Sequence, residues 1–379
     1  MRKQTHSYYS ARPGRGGAPP PRNKQKRPLR GLLSVFLVLL LLAGFGLGAA
    51  HLYLGRFLTT GASGAVSAAY HTPREVRGSV FNLLVVGMWQ EPGKNYPAGI
   101  GLTDMVLYAS YDLANNKLNL LQIPRDSYVG EEAGGDGKIN SLLVSAANEQ
   151  DPINRLAACI ANQYKLPIDR YVAVEMEALK QIVDALGGIE VYVPRDMEHG
   201  GSYLPQGLHV LDGGAVEFFV RNRYGSGFER ADIDRLDNQR FFYAALFKRF
   251  LTLSFSEMRT LLPLFGEYCT TDFATIDLPR LALGAAKLKA EDVVFCKVPG
   301  ATSAQGWAAD PTGRGRSLYI VDVYGRGTEQ EPGLAALLNQ YFRTGAAAVP
   351  PEALGLPAVE IPQWVSLYPP NVQQLGAVQ

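Results

Sequence analysis

Three cysteines in 379 residues, Cys159, Cys269 and Cys296, form no Cys-x-x-Cys pair. Their scarcity excludes a zinc ribbon, a thioredoxin-type dithiol and a disulfide-dense scaffold. The five histidines, His6, His51, His71, His199 and His209, are scattered. Also missing are the Gly-x-Ser-x-Gly elbow, the Gly-x-x-x-x-Gly-Lys-Ser/Thr phosphate loop and His-Glu-x-x-His, so the familiar hydrolase, nucleotide and zinc-protease sites have no sequence basis. Residues 1–30 contain nine Lys or Arg and no acid. The remainder therefore holds 28 basic and 35 acidic side chains, a net −7. A net acidic body lacks the extended basic face that a nucleic acid requires, and no nucleic-acid partner is expected. What is present is globular: 47% apolar and 19% charged side chains are enough to bury a core.

One long apolar run stands out. Gly31 to Ala50 carries no charge across twenty residues, and the stretch extends to Leu54 with His51 neutral. At 1.5 Å per residue it spans a hydrocarbon core of about 30 Å, so a single transmembrane helix is expected at 31–54. Lys24, Lys26, Arg27 and Arg30 crowd its N-terminal side while Arg56 stands nearly alone beyond it, which keeps the basic, disordered tail 1–30 in the cytoplasm and puts the rest outside the cell membrane. A cleaved signal peptide would have a far shorter basic region and half the apolar length.

Residues 55–79 read as an extracytoplasmic stem. Val80–Val86, Met105–Tyr111 and Leu118–Ile123 read as strands, the last two joined by the turn residues Asp112 to Asn116. Asp151-Pro152 reads as the cap and first residue of a helix to Tyr164. Tyr171–Val174 and Ile189–Val193 read as further strands, with a helix at Glu177–Leu186 stopped by Gly187-Gly188 and another over 233–249. Alternating strands and helices imply an α/β fold, an α-β-α sandwich with a mixed central sheet. Residues 80–347 would form the folded domain, and the proline-rich 348–379 an irregular tail.

Arginine carries the candidate chemistry. Arg221 and Arg223, after the mostly apolar Val216–Val220, would share one side of an extended segment. Arg235 and Gln239, four apart, would share a helix face. Arg125 ends the strand Leu118–Ile123 in Ile123-Pro124-Arg125-Asp126. Such fork-shaped, always-charged donors suit a pyrophosphate, whose oxygens each guanidinium can bind in pairs. The bland alternative is ion pairing with Glu229, Asp232, Asp234 and Asp237. Asp104 begins a strand and could hold Mg²⁺ together with substrate phosphates.

These pieces, in this order, resemble the LytR-CpsA-Psr family of membrane-anchored extracytoplasmic proteins of Gram-positive bacteria. The matching segments are Phe81–Gly87, Thr103–Met105, Ile123–Tyr128, Gly137–Asn140, Ile182–Val191, Val220–Arg223 and Asp232–Gln239, with the core motifs inside 80–250. The resemblance implies a phosphotransferase that moves a glycopolymer from a polyprenyl pyrophosphate carrier to cell-wall peptidoglycan. The lipid would lie in an apolar tunnel and polyprenyl phosphate would be released. It further implies that Arg125, Arg221, Arg223, Arg235 and Gln239 hold the pyrophosphate, that Asp104, Arg125 and Arg235 are catalytic, and that Asp104 is one of two aspartates linked to Mg²⁺. The implied partners are the lipid-linked glycan, peptidoglycan and membrane lipid. Two positions depart from the family pattern. Trp89 stands where the family has the first metal aspartate, with Glu91 nearby as a possible substitute, and Asn238 replaces an arginine. The loss at position 89 keeps open an alternative, a catalytically impaired member that binds or regulates lipid-linked glycan.

Overall fold

The computed structural model describes residues 63–377 apart from 90–92, 98–99, 132–136, 251, 274–286, 304–316, 329–330 and 344. The tail 1–30 and the apolar run 31–54 lie outside the described residues, among which no helix is long and apolar enough to cross a membrane. The first half comprises β1 (Val80–Trp89), β2 (Leu102–Asp112), β3 (Lys117–Ile123), α1 (Ile153–Gln163), β4 (Arg170–Glu175), α2 (Met176–Ala185) and β5 (Ile189–Val193). Then come β6 (Met197–His199), β7 (Ser202–Leu204), β8 (Gly207–Leu211), α3 (Gly213–Arg221), α4 (Asp232–Phe250) and α5 (Phe255–Tyr268). The chain closes with β9 (Cys269–Thr271), β10 (Val293–Lys297), β11 (Gly300–Thr302), β12 (Tyr319–Val321), α6 (Leu334–Tyr341) and β13 (Gln373–Gln374).

The central sheet has the order β13-β10-β3-β2-β1-β4-β9. It is mixed: β1 pairs parallel with β4 and β3 with β10, while the other neighbours pair antiparallel. Strands β1, β3, β4 and β10 therefore all run one way, and their C-terminal ends lie at the same end of the sheet. The β2–β3 turn forms as its residues dictate, with the Asp112 carboxylate accepting from the amides of Ala114 and Asn115 at 3.0 and 2.9 Å. Asn116 takes the left-handed conformation, φ 53°, that Asn tolerates.

Alternation along the strands divides the core. Leu84 and Val86 of β1, Tyr108 of β2 and Leu121 of β3 point to one face, where they pack with Leu156 and Ile160 of α1 and Leu337 and Leu338 of α6. Phe81, Leu107, Ala109 and Leu120 point to the other, toward Tyr243 and Phe247 of α4. Ile189–Val193 is a strand but not part of this sheet. It pairs with β8 in a two-stranded ribbon, whose buried side packs with α2, α3, α4 and α5 in a separate cluster around Phe219 and Phe242. Gly187 and Gly188, at φ 74° and 96°, end the preceding helix as expected.

Other local expectations need correction. Asp151 does not cap α1: Pro152 occupies that position at φ −53°, ψ −28°. Its ring already holds a helical φ, and Asp151, at φ 52°, turns its carboxylate to the Ala65 amide at 3.2 Å. Residues 63–79, read as a stem, dock on the domain. The Thr72 hydroxyl donates to Asp169 at 2.7 Å, and the same carboxylate accepts from the Asn82 amide at 2.9 Å. The tail 348–379 is largely irregular, yet it supplies β13 to the sheet edge on β10.

Candidate functional site

Side chains two apart on a strand face the same way. Leu83, Val85 and Gly87 of β1, Met105, Leu107 and Ala109 of β2, and Leu118 and Leu120 of β3 consequently share one sheet face. Helix α4 crosses this face and presents Arg235, Gln239, Tyr243, Leu246 and Phe247 at helical spacing. Between them lies a cavity of about 420 Å³ with an almost wholly apolar wall, within the size range of small-molecule sites.

The cavity becomes charged where β1 ends and β2 begins. Gly87 pairs with Met105 and Met88 with Thr103, so Asp104 is the extra residue of a β-bulge. A bulge re-aims a side chain out of strict alternation. Position 87 suits glycine, because a Cβ there would approach that of Met105 to 2.9 Å. The Asp104 side chain, 9% exposed, receives a close ion pair at Oδ1 from Arg125 Nη1, and Arg221 Nε lies 3.9 Å from its Oδ2. Arg221 also donates through Nη1 to Glu217 at 2.7 Å, and its guanidinium carbon sits 4.9 Å from the centroid of the Trp89 ring. Deeper in, Arg235 is 2% and Gln239 4% exposed. Gln239 donates to the Val220 carbonyl and accepts from Gln122 Nε2, both at 3.0 Å.

The structure thus brings Asp104, Arg125 and Arg221 together, with Arg235 and Gln239 on the same cavity wall. Two of the acids near Arg235 in sequence pair with other arginines. Asp234 pairs with Arg195 at 3.4 Å and with Arg230 at 2.5 Å, and Asp237 pairs with Arg230 at 2.8 Å. The shared extended segment for Arg221 and Arg223 is not what forms. Asp212 caps α3 by accepting from the Ala215 amide at 2.8 Å, and Val216–Val220 winds into that helix with Arg221 as its last residue. The chain leaves at Asn222, ψ 142°, and Arg223 stacks at 5.0 Å on Tyr224 instead of lining the cavity.

Two cations near this end had no role in the sequence reading. Lys138 of Gly137-Lys138-Ile139-Asn140 reaches Asp126, the neighbour of Arg125, at 3.1 Å. Lys297 ends β10 opposite Gln122, and its side chain is 3% exposed, 4.0 Å from Asp237. Burial lowers the Lys297 amine from the ordinary 10.5 to about 8, with the attraction of Asp237 opposing. Below pH 8 the fold confines a charge that the unfolded chain hydrates freely. Between about 8 and 10.5 the unfolded chain binds the extra proton, so stability rises with pH across that window. Lys297→Met is expected to stabilise the protein at pH 7 by up to about 3 kcal/mol, an advantage that disappears by pH ~10.5. Urea unfolding of both proteins across this range checks it, and a gap that widens with pH would contradict the account.

A resident metal fits these residues poorly. Among the described residues no group of three His, Cys, Asp or Glu side chains is placed to hold an ion. Asp104 is engaged by two guanidinium groups, Trp89 offers no oxygen, and Glu91 lies outside the described residues.

A sequence model for the LytR_cpsA_psr family matches residues 59–322. TagU of Oceanobacillus iheyensis, named a polyisoprenyl-teichoic acid–peptidoglycan teichoic acid transferase, is 27% identical over 267 residues, 65% of this chain and 77% of that protein. TagV of Bacillus subtilis, named for the same activity, is 26% identical over 187 residues, 48% of this chain and 46% of its own length. The crystal structure of B. subtilis TagV aligns with a TM-score of 0.51 at 22% identity, over 64% of this chain and 91% of that one. Protein gbs0355 of Streptococcus agalactiae aligns at 0.54 and 18% identity, over 70% and 87%. These structures share the mixed α/β fold and its central sheet.

Proposed function

The chain belongs to the LytR_cpsA_psr family, and from that premise we propose that it transfers a glycopolymer from a polyprenyl pyrophosphate carrier to cell-wall peptidoglycan. The relatives named as teichoic acid transferases support the class of substrate. The observation that carries the reading is the juxtaposition of a long apolar cavity with Asp104, Arg221, Arg235 and Gln239 on its wall at one end. That is the shape and polarity of a lipid joined to an anionic head.

In this reading the prenyl chain lies between the sheet and α4, and Arg125, Arg221 and Arg235 face the pyrophosphate. An acceptor hydroxyl oxygen of peptidoglycan attacks the phosphorus that bears the glycan. A new P–O bond forms, the bond to the bridging oxygen breaks, and prenyl phosphate leaves with the released electron pair. The hydroxyl proton passes to solvent. Phosphoryl transfer needs positioning and charge neutralisation more than a covalent nucleophile, and guanidinium groups at this end of the cavity stabilise charge on the leaving phosphate. Asp104 holds Arg125 and Arg221 in place for that task. Residues 31–54 anchor the chain in the cell membrane with residues 1–30 inside and the catalytic domain outside, where carrier lipid and acceptor meet.

Trp89 favours a second reading, in which the site binds lipid-linked glycan without turnover. One assay separates the two. Full-length protein in detergent, given a synthetic lipid-pyrophosphate glycan and peptidoglycan, is expected to attach glycan to the polymer and release lipid phosphate. Intact binding with no transfer would leave the binding protein.

A further inference from the structure

The end of β1 carries an indole where the family resemblance implies a carboxylate. The Trp89 ring presents its face to the Arg221 guanidinium at 4.9 Å, a cation–π arrangement that holds a positive charge without neutralising it. The Arg221 Nε also lies 3.9 Å from Asp104 Oδ2, and Nη1 donates to Glu217 at 2.7 Å. Arg125 takes the remaining Asp104 oxygen. Each oxygen of the carboxylate that could bind a metal thus faces a guanidinium.

We propose that this protein binds its pyrophosphate without a divalent cation, the Arg221 guanidinium clamped by Trp89 and Asp104 supplying the positive charge that a metal would bring. The inference rests on the reading above, and its ligand class is a prenyl pyrophosphate. Mg²⁺ demands near-octahedral oxygen donors at about 2.0–2.1 Å. To reach Asp104 it would have to displace the Arg125 guanidinium and come close to that of Arg221, and the indole at position 89 offers it no oxygen. A guanidinium needs no such shell. It stays charged at every accessible pH and offers two parallel N–H donors to a pair of phosphate oxygens.

Titration calorimetry of the full chain in detergent, with farnesyl pyrophosphate as probe, tests this in chelator and in excess Mg²⁺. Wild type is expected to bind with affinities within about threefold of each other, and Mg²⁺ titrated alone is expected to give no binding heat. Trp89→Asp removes the ring and restores a carboxylate, so its affinity in Mg²⁺ is expected to exceed that in chelator by at least about tenfold. Trp89→Phe, which keeps an aromatic face, is expected to bind more weakly yet stay indifferent to Mg²⁺, and it carries the comparison if the aspartate variant does not fold. A wild-type affinity that collapses in chelator would overturn the inference and leave the proposed function standing. A folded Trp89→Asp protein that ignores Mg²⁺ would equally overturn it. No binding under either condition would sink the proposed function and the inference together.

Discussion

Replacing Arg235 with alanine is expected to weaken prenyl pyrophosphate binding by about 2–5 kcal/mol, roughly thirtyfold to several thousandfold. The size follows from position. Arg235 is 2% exposed on the cavity wall, where little water screens its charge, and a charge-assisted contact in such a place is worth far more than a surface ion pair. Arg235→Lys is expected to recover only part of the loss, since an ammonium lacks the planar pair of donors. Thermal unfolding of the empty variants controls for the fold. Wild-type affinity in a folded Arg235→Ala protein would return this arginine to a structural role.

Filling the cavity should be nearly as damaging. Ala109 lies on the cavity face of β2, 8% exposed, and Ala109→Trp would put an indole where the proposed lipid lies. Each buried CH₂ contributes about 0.8 kcal/mol, so every displaced five-carbon isoprene unit should cost roughly 3–4 kcal/mol of binding, more than a hundredfold. Affinity for inorganic pyrophosphate, which has no chain to displace, should change little. Comparing farnesyl pyrophosphate with pyrophosphate in this variant reads the effect directly. Equal losses for both ligands would place the prenyl chain outside the cavity.

Much of this was legible in the sequence because strand alternation is a strong signal. Leu83-Leu84-Val85-Val86 assigns two residues to each face of β1 whatever the rest of the chain does, and the spacing of Arg235 and Gln239 needed only a helix to place both on one wall. Arg221 shows the limit. The five residues Val216–Val220, apolar apart from Glu217, are too short for a period that separates helix from strand, and the Asp212 cap that decides it lies four residues before Val216. Asp151 departs from the Asp-Pro pattern of a helix start because its partner, the Ala65 amide, is 86 residues away in the chain. Long-range pairings were likewise invisible: Asp104 meets Arg125 and Arg221 only after a bulge and a helix have formed. Lys297 left one faint mark, a single charge ending the apolar strand Val293–Cys296.

The parallel course of β1, β3, β4 and β10 gives the cavity a fixed origin. From Gly87, beside the arginines, back to Phe81 is six strand steps of about 3.3 Å, some 20 Å in all. On the proposed reading the sheet acts as a gauge with its zero at the phosphates. Carbons within that distance are gripped, and those beyond it are not measured at all. Such a gauge discriminates among carriers by the geometry of their first units and ignores total length. With the membrane anchor proposed above, such a domain would read the head-group end of a lipid whose remaining tail stays among its neighbours, so the carrier would not have to be fully extracted.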